Sequence, residues 1–137
     1  MDNDLSVLHE IPEPEEYVSL RAAAGLSPKP VSVARDALRR SIFAVVLRRS
    51  DQQLIGMGRL IGDGGCFFQI VDIAVDPSCQ GKGYGKLIMS EITNYLDGNM
   101  PQGAFVSLIA DVPADQLYQQ YGFEYTHPKS VGMYRKF

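Results

Sequence analysis

One stretch constrains this chain more than any other: Asp72–Lys86, "DIAVDPSCQGKGYGK". A nearly continuous apolar run, "CFFQIVDIAV" (Cys66–Val75), reads as a strand from the middle of a sheet and stops at Asp76-Pro77. Gly81, Gly83 and Gly85 follow at every second position, and an amphipathic helix pattern carrying Leu87, Ile88, Ile92, Tyr95 and Leu96 begins at once. The first turn of a helix presents N–H groups without intrahelical partners, and the helix dipole adds partial positive charge there. Glycines remove the Cβ atoms that would keep an anion at a distance, so a strand–glycine–helix junction suits phosphate. Gln80 adds a donor, and Lys82 and Lys86 add two cations. Alternating glycines leave several N–H groups free to point inward, which suits a pyrophosphate. A glycine-rich connection without a ligand is the competing reading. The spacing matches neither a Walker-type loop, since Gly83 follows Lys82, nor G-x-G-x-x-G, since Lys86 or Ile88 stands where the third glycine belongs.

The rest of the chain organises around that junction. "LSVLHEI" (Leu5–Ile11) reads as a short strand. Pro12 to Glu16 opens a helix that runs to about Ala24, with Gly25 as its C-terminal cap. A second helix spans roughly Ser32–Arg40 after the break at Ser27–Pro30. Ile42–Arg49 and Leu54–Asp63 read as an antiparallel hairpin, and Gly64-Gly65 turns into the apolar strand. The helix after the glycines ends at Gly98; Ala104–Asp111 is a strand, Pro113–Gly122 a helix, and "FEYTH" and "VGMYRKF" are closing strands. The order β-α-α-β-β-β-α-β-α-β-β predicts an α/β mixed sheet with helices on both faces, in a single domain over residues 1–137.

Composition excludes several classes. The net charge of −3 argues against a nucleic-acid surface, and the basic pairs Arg39-Arg40 and Arg48-Arg49 read as solvated element ends. No apolar run approaches the ~20 residues of a membrane span. The acidic N-terminal stretch "MDNDLSVLHEIPEPEE" has no signal-peptide core. Two cysteines, Cys66 and Cys79, with neither CxxC spacing nor a nearby His, indicate neither a disulfide scaffold nor a metal site. A reduced, cytoplasmic setting is the expectation.

"VDIAVDPSCQGKGYGKLIM" resembles the acetyl-CoA-binding segment of the GCN5-related N-acetyltransferases (GNAT), with Gln80, Gly83 and Gly85 matching the family pattern. "IADVPADQLYQQYGFEY" (Ile109–Tyr125) is similar to the family's later strand–helix element: Ala114, Leu117, Tyr118, Gly122 and Phe123 fit, and Asp111 departs where many members carry Asn. The two motifs cover about a third of the chain, and the element order is the family's. The resemblance implies a GNAT-like acyl-CoA N-acyltransferase fold, a mostly antiparallel sheet whose middle strands splay. It implies acetyl-CoA as cosubstrate, with the pantetheine arm pairing with the backbone of Ile73 and Val75 and Ala74 also among the cofactor-binding residues. Gln80, Gly81, Lys82, Gly83, Tyr84, Gly85 and Lys86 would surround the pyrophosphate, and Asp111 and Tyr118 would complete the cofactor side.

The implied chemistry is direct transfer of an acetyl group to an amine. Tyr118 matches the family tyrosine beside the thioester sulfur, where a phenol with pKa near ~10 can protonate a departing thiolate; its helical register also permits packing. Asp72 is a carboxylate in an apolar strand, so it is either used, as base or ammonium site, or paired with backbone or an Arg. Glu124, His9 and His127 are lone titratable groups without a motif, and Cys79 reads as a small buried filler. A small-molecule primary amine is the first expectation for the acceptor, a protein N-terminus or lysine the second, and a non-catalytic acyl-CoA sensor the alternative class. The acidic balance favours a cationic acceptor, and the sequence is compatible with a homodimer.

Overall fold

The structure, a computed structural model, describes residues 4–137; the first three residues of the acidic N-terminal stretch, and of the expected single domain, lie outside the described residues. The described elements are β1 (Ser6–Leu8), α1 (Pro14–Ala23), α2 (Val31–Leu38), β2 (Phe43–Arg48), β3 (Leu54–Gly62), β4 (Phe67–Val75), a short 3₁₀ turn (Pro77–Cys79), α3 (Tyr84–Asn99), β5 (Phe105–Leu108) and α4 (Asp115–Gln119). One sheet takes the order β1-β2-β3-β4-β5. Its first three pairings are antiparallel and β4–β5 is parallel, the mixed sheet expected from the element order and the mostly antiparallel one implied by the family resemblance.

Both faces of the central strands are apolar, so successive side chains feed two separate cores. On one face Val45, Leu47, Ile55, Leu60 and Ile70 pack with Tyr84, Ile88, Met89 and Ile92 of α3. On the other, Val46, Met57 and Ala74 pack with Tyr17 and Leu20 of α1 and Ala34 and Leu38 of α2. Each such aliphatic side chain, once fully buried, contributes about 1.5–3 kcal/mol. Gly58 lies where α3 presses closest to the sheet. A Cβ there would stand 2.7 Å from Ile73 Cδ1, 2.7 Å from Ile88 Cγ2 and 2.9 Å from Ile92 Cδ1.

Opposite Gly58 the ladder slips. Met57 faces Ala74 and Arg59 faces Val71, so two residues of β4, Asp72 and Ile73, oppose one of β3. This is a β-bulge, and Asp72 takes the left-handed backbone conformation at φ 62°. At the end of α1, Gly25 is also left-handed (φ 81°), and the amides of Gly25 and Leu26 return to the carbonyls of Ala22 and Arg21, the glycine-terminated cap foreseen from the sequence.

Three expectations need correction. The β1 strand covers only Ser6–Leu8, so His9 lies beyond it. Helix α3 runs through Gly98 to Asn99, because its own hydrogen bonds tolerate a glycine in the last turn. The two closing strands do not form: residues 124–137 are exposed throughout and pair with no strand. Alternating apolar residues make a strand only where they pair with a sheet edge, and among the described residues none pairs with the outer side of β5, which is only four residues long.

Candidate functional site

The site begins where β4 and β5 part. Their parallel register runs from Phe67↔Phe105 to Ile70↔Leu108 and stops, while β4 continues to Val75 and keeps β3 on its other edge. Along Val71–Val75 the edge turned toward β5 therefore has no strand partner, the splay implied by the family resemblance. A cleft of about 270 Å³ opens there, lined by Ile73, Ala74 and Val75 on one side, the glycine turn and Tyr84 at one end, and Ala114, Leu117 and Tyr118 of the α4 region on the other.

The glycine turn is built locally. Asp76 caps the 3₁₀ turn by accepting from the Ser78 amide (2.9 Å) and hydroxyl (2.7 Å), and these bonds hold its carboxyl below the usual range. Cys79 is buried, with Arg49 Nη2 3.0 Å from its Sγ. Gln80 Nε2 donates to the Val75 carbonyl at 3.3 Å, tying the turn back to the strand end. Gly81 and Gly83 are left-handed (φ 82° and 83°), and Gly83 is the N-cap of α3. Gly85 is different. It carries no such φ, and a Cβ there would make only ordinary contact, 3.6 Å from Leu117 Cδ2. Glycine in a helix costs about 0.5–1 kcal/mol relative to Ala, so the fold gives no reason for its bare backbone. A ligand lying against the first turn does give one, and the residues present fit a phosphate-bearing cofactor.

Tyr118 lines this cleft and also a second one of about 190 Å³ that includes Leu108, Ala110, Val112 and Phe123. Burial pushes its phenol up, and the negative charge of Asp111 adds to the rise. Asp111 itself is exposed, one turn before α4, so its side chain influences Tyr118 from the solvent side. Lys82 and Lys86 are exposed near the mouth of α3.

Asp72 is paired. Its Oδ1 accepts from Arg21 Nη1, and its Oδ2 accepts from Arg59 Nε at 2.7 Å and from the Tyr17 hydroxyl at 2.9 Å. Arg21 is fixed in turn by the Ser27 carbonyl (3.0 and 2.9 Å) and hydroxyl (3.1 Å), and Arg59 by Ser41 Oγ at 2.9 Å. Both guanidiniums are buried and lie 5.6–5.8 Å from the Tyr17 ring centre, within cation–π range. Burial, then the Asp72 charge, raises the Tyr17 phenol. A third cleft, about 350 Å³, opens beside this cluster and is lined by Tyr17, Arg21, Lys29, Arg59, Val71, Asp72 and Ile109 among others. Of the two fates open to Asp72, use or pairing with an Arg, the geometry is the pairing. Sequence reading missed Tyr17, Arg21, Lys29 and Arg59. The signal available was the carboxylate itself, which demands cations, but they come from 51 and 13 positions away.

The remaining candidates scatter. His9 bonds Glu91 through Nε2 at 2.7 Å and packs edge-on against Phe43. Glu124 borders the cleft of about 190 Å³, and His127 is exposed in the C-terminal segment. Cys66 and Cys79 are both free thiols. Among the described residues no three His, Cys, Asp or Glu side chains are grouped as metal ligands, and no helix is long and apolar enough to cross a membrane.

A splayed parallel pair beside a glycine-floored helix mouth defines a class, and comparison with known proteins agrees with it. Residues 39–125 match the family described as acetyltransferase (GNAT) domain. The chain belongs to the GNAT acetyltransferase family. A crystal structure from methicillin-resistant Staphylococcus aureus, described as a protein of unknown function and "Probable Acetyltransferase", is 50% identical over 97% of this chain and 99% of that one, with a TM-score of 0.91. GCN5-related N-acetyltransferase 2, chloroplastic, of Arabidopsis thaliana is 33% identical over 64% of this chain. A GNAT family N-acetyltransferase of Escherichia coli, solved in complex with CoA, is 20% identical over 90% of this chain and 71% of that one and shares the fold at a TM-score of 0.66. The chain spans 33% and 63% of the lengths of the first curated relatives it matches.

Proposed function

We propose that this chain is an N-acetyltransferase that moves an acetyl group from acetyl-CoA to a primary amine of a small molecule by direct transfer. The observation that carries the reading is the unpaired edge of β4 at Val71–Val75, facing Tyr118 across a cleft that ends on the glycine turn. Bound acetyl-CoA supplies an acyl carbon activated toward an amine. The backbone of Ile73 and Val75 would offer N–H and C=O groups to its arm in place of a neighbouring strand, with Ala74 between them. The amides from Gly81 to Lys86 would hold its diphosphate, with Gln80, Lys82, Tyr84, Lys86 and Asp111 completing the cofactor side.

Tyr118 lines both clefts, and its phenol, protonated at neutral pH as any tyrosine is, is raised further by burial and by Asp111. There it acts as general acid toward a departing thiolate. Both oxygens of Asp72 already accept from Arg21, Arg59 and Tyr17, so its part is to fix those groups beside the acceptor cleft. The acceptor amine sheds its proton to water in that open cleft. Incubating the protein with acetyl-CoA and a panel of amines, and following free thiol release, tests the reading. Cofactor binding without turnover across the panel would favour a non-catalytic sensor, and turnover confined to peptides would favour a protein acetyltransferase. The cytoplasm, where acetyl-CoA and reduced thiols coexist, is the setting this reading needs.

The same reading includes a homodimer. Val131, Met133, Tyr134 and Phe137 are each at least 65% exposed, and β5, an edge of the sheet, has no partner on its outer side among the described residues. Donor segment and open edge belong to one chain, so two copies related by a two-fold axis can each supply what the other lacks.

A further inference from the structure

The acidic balance of the whole chain points to a cationic acceptor, but the cleft beside Asp72 carries the opposite charge. Arg21, Lys29 and Arg59 face it against one carboxylate, Asp72, in a chain whose net charge is −3. Asp72 neutralises one of the two guanidiniums it binds, and Lys29 is exposed with no ion-pair partner among the described residues. Arg59 gives a second sign. Its Nε and Nη1 are taken by Asp72 and Ser41, whereas Nη2 donates to no protein acceptor among the described residues. The side chain is only 9% exposed, and it lines the cleft. A guanidinium held in a fixed orientation with a donor left over is the usual way to take an oxyanion.

The cofactor's phosphates do not account for this group. The glycine turn that suits them follows Val75, whereas the cationic cleft adjoins Gln69–Asp72, toward the other end of the same strand. We infer that the acceptor is a primary amine that also carries an oxyanion, a carboxylate or a phosphate ester, and that Arg59 Nη2 and Lys29 bind that anion. The inference rests on the transferase reading above. The oxyanion orients the molecule by charge, and its amine is left to reach toward the neighbouring gap between β4 and β5.

Two measurements separate the outcomes. In the thiol-release assay, amino acids and amino-phosphates are compared with matched amines in which the anion is absent or amidated. The anionic members of each pair should show kcat/KM higher by about tenfold. Lys29→Glu, a change at an exposed position, should erase that preference by raising KM for the anionic members. Equal or better use of the neutral partners overturns the inference. Independently of turnover, N-acetylglycine and N-acetylglycinamide differ as probes mainly in charge. By ligand-observed NMR the acid should bind the wild-type chain more tightly by about tenfold, weaken with added salt and lose its advantage in Lys29→Glu. Equal binding of the two overturns the anion site even if transfer occurs, and preferential binding of the acid without any transfer upholds the site while removing the transferase reading. The better substrates within the anionic set tell carboxylate from phosphate.

Discussion

Ile70 and Leu108 are the last residues at which β4 and β5 face each other, and the cleft proposed for the cofactor opens beyond that pair. Beyond it Val71, Ala74 and Val75 keep their β3 partners, on either side of the bulge at Asp72 and Ile73, while the β5 side falls away. A parallel sheet does not normally leave apolar strand backbone unpaired, since each lost ladder bond leaves a donor and an acceptor to be satisfied elsewhere.

Gly85 separates cofactor binding from fold stability. Gly85→Ala fits sterically and should raise stability by about 0.5–1 kcal/mol in chemical denaturation. Titration calorimetry should nevertheless show weaker acetyl-CoA binding, and Gly85→Val should weaken it further. Tighter or unchanged binding in both variants would remove the glycine turn from the cofactor site.

Tyr118→Phe should lower turnover by about tenfold or more with acetyl-CoA affinity nearly intact. The pH dependence has a defined sign. An acid must be protonated to act, and burial and Asp111 both raise this phenol, so turnover should fall only at pH above the ordinary tyrosine range. Asp111→Asn removes one cause of the rise and should move that alkaline limb to lower pH. A limb that stays in place excludes Tyr118 as its origin.

Asp72→Asn tests pairing. Asn tolerates the left-handed backbone at this position, so the substitution leaves the bulge comfortable and removes the charge. Two buried guanidiniums then lose their anion, and thermal unfolding should show a loss of about 3–5 kcal/mol. A loss under 1 kcal/mol, on the scale of an exposed pair, would mean that the cluster is solvated.

Glu16 sets part of the acid limit. Its hydrogen bonds to Arg48 (2.8 and 2.6 Å), with a further one from the Glu13 amide, hold its carboxyl below the usual value. A lowered folded-state pKa contributes stability above the unfolded carboxylate range that is lost as pH falls through the lowered value. Glu16→Gln should therefore destabilise at neutral pH and flatten the decline on acidification.

Met133→Asp examines the two-fold arrangement. Light scattering on the wild-type chain should return about twice the 15.1 kDa of one copy, and the variant should return a single copy. A wild-type monomer at high concentration would end that part of the proposal.

Local signals reached much of this. The apolar period of Cys66–Val75, the glycines after it and the helix stripe at Leu87, Ile88 and Ile92 are dictated within a few residues of one another, and the structure follows them. Tyr118 was reachable through its motif, although its junction position depends on where α4 packs. The cationic cleft was not legible, because Arg21, Lys29 and Arg59 meet Asp72 only through the crossing of α1 over a bulge, and no short spacing encodes that crossing. The closing segments erred in the other direction: Val131, Met133 and Phe137 alternate like a strand, but alternation says nothing about which edge will receive it.

Gly58 lines none of the clefts described above, yet it governs the aim of one. With no side chain it lets Ile88 and Ile92 seat α3 directly on β3 and Ile73. A methyl group there would act as a wedge under the helix, and the helix would pivot or lift as a rigid rod. Its mouth, with Gly83 and Gly85, would swing relative to the strand end at Val75. The width of the gap available to a cofactor is thus gauged from beneath, by an atom missing on a strand the cofactor never meets.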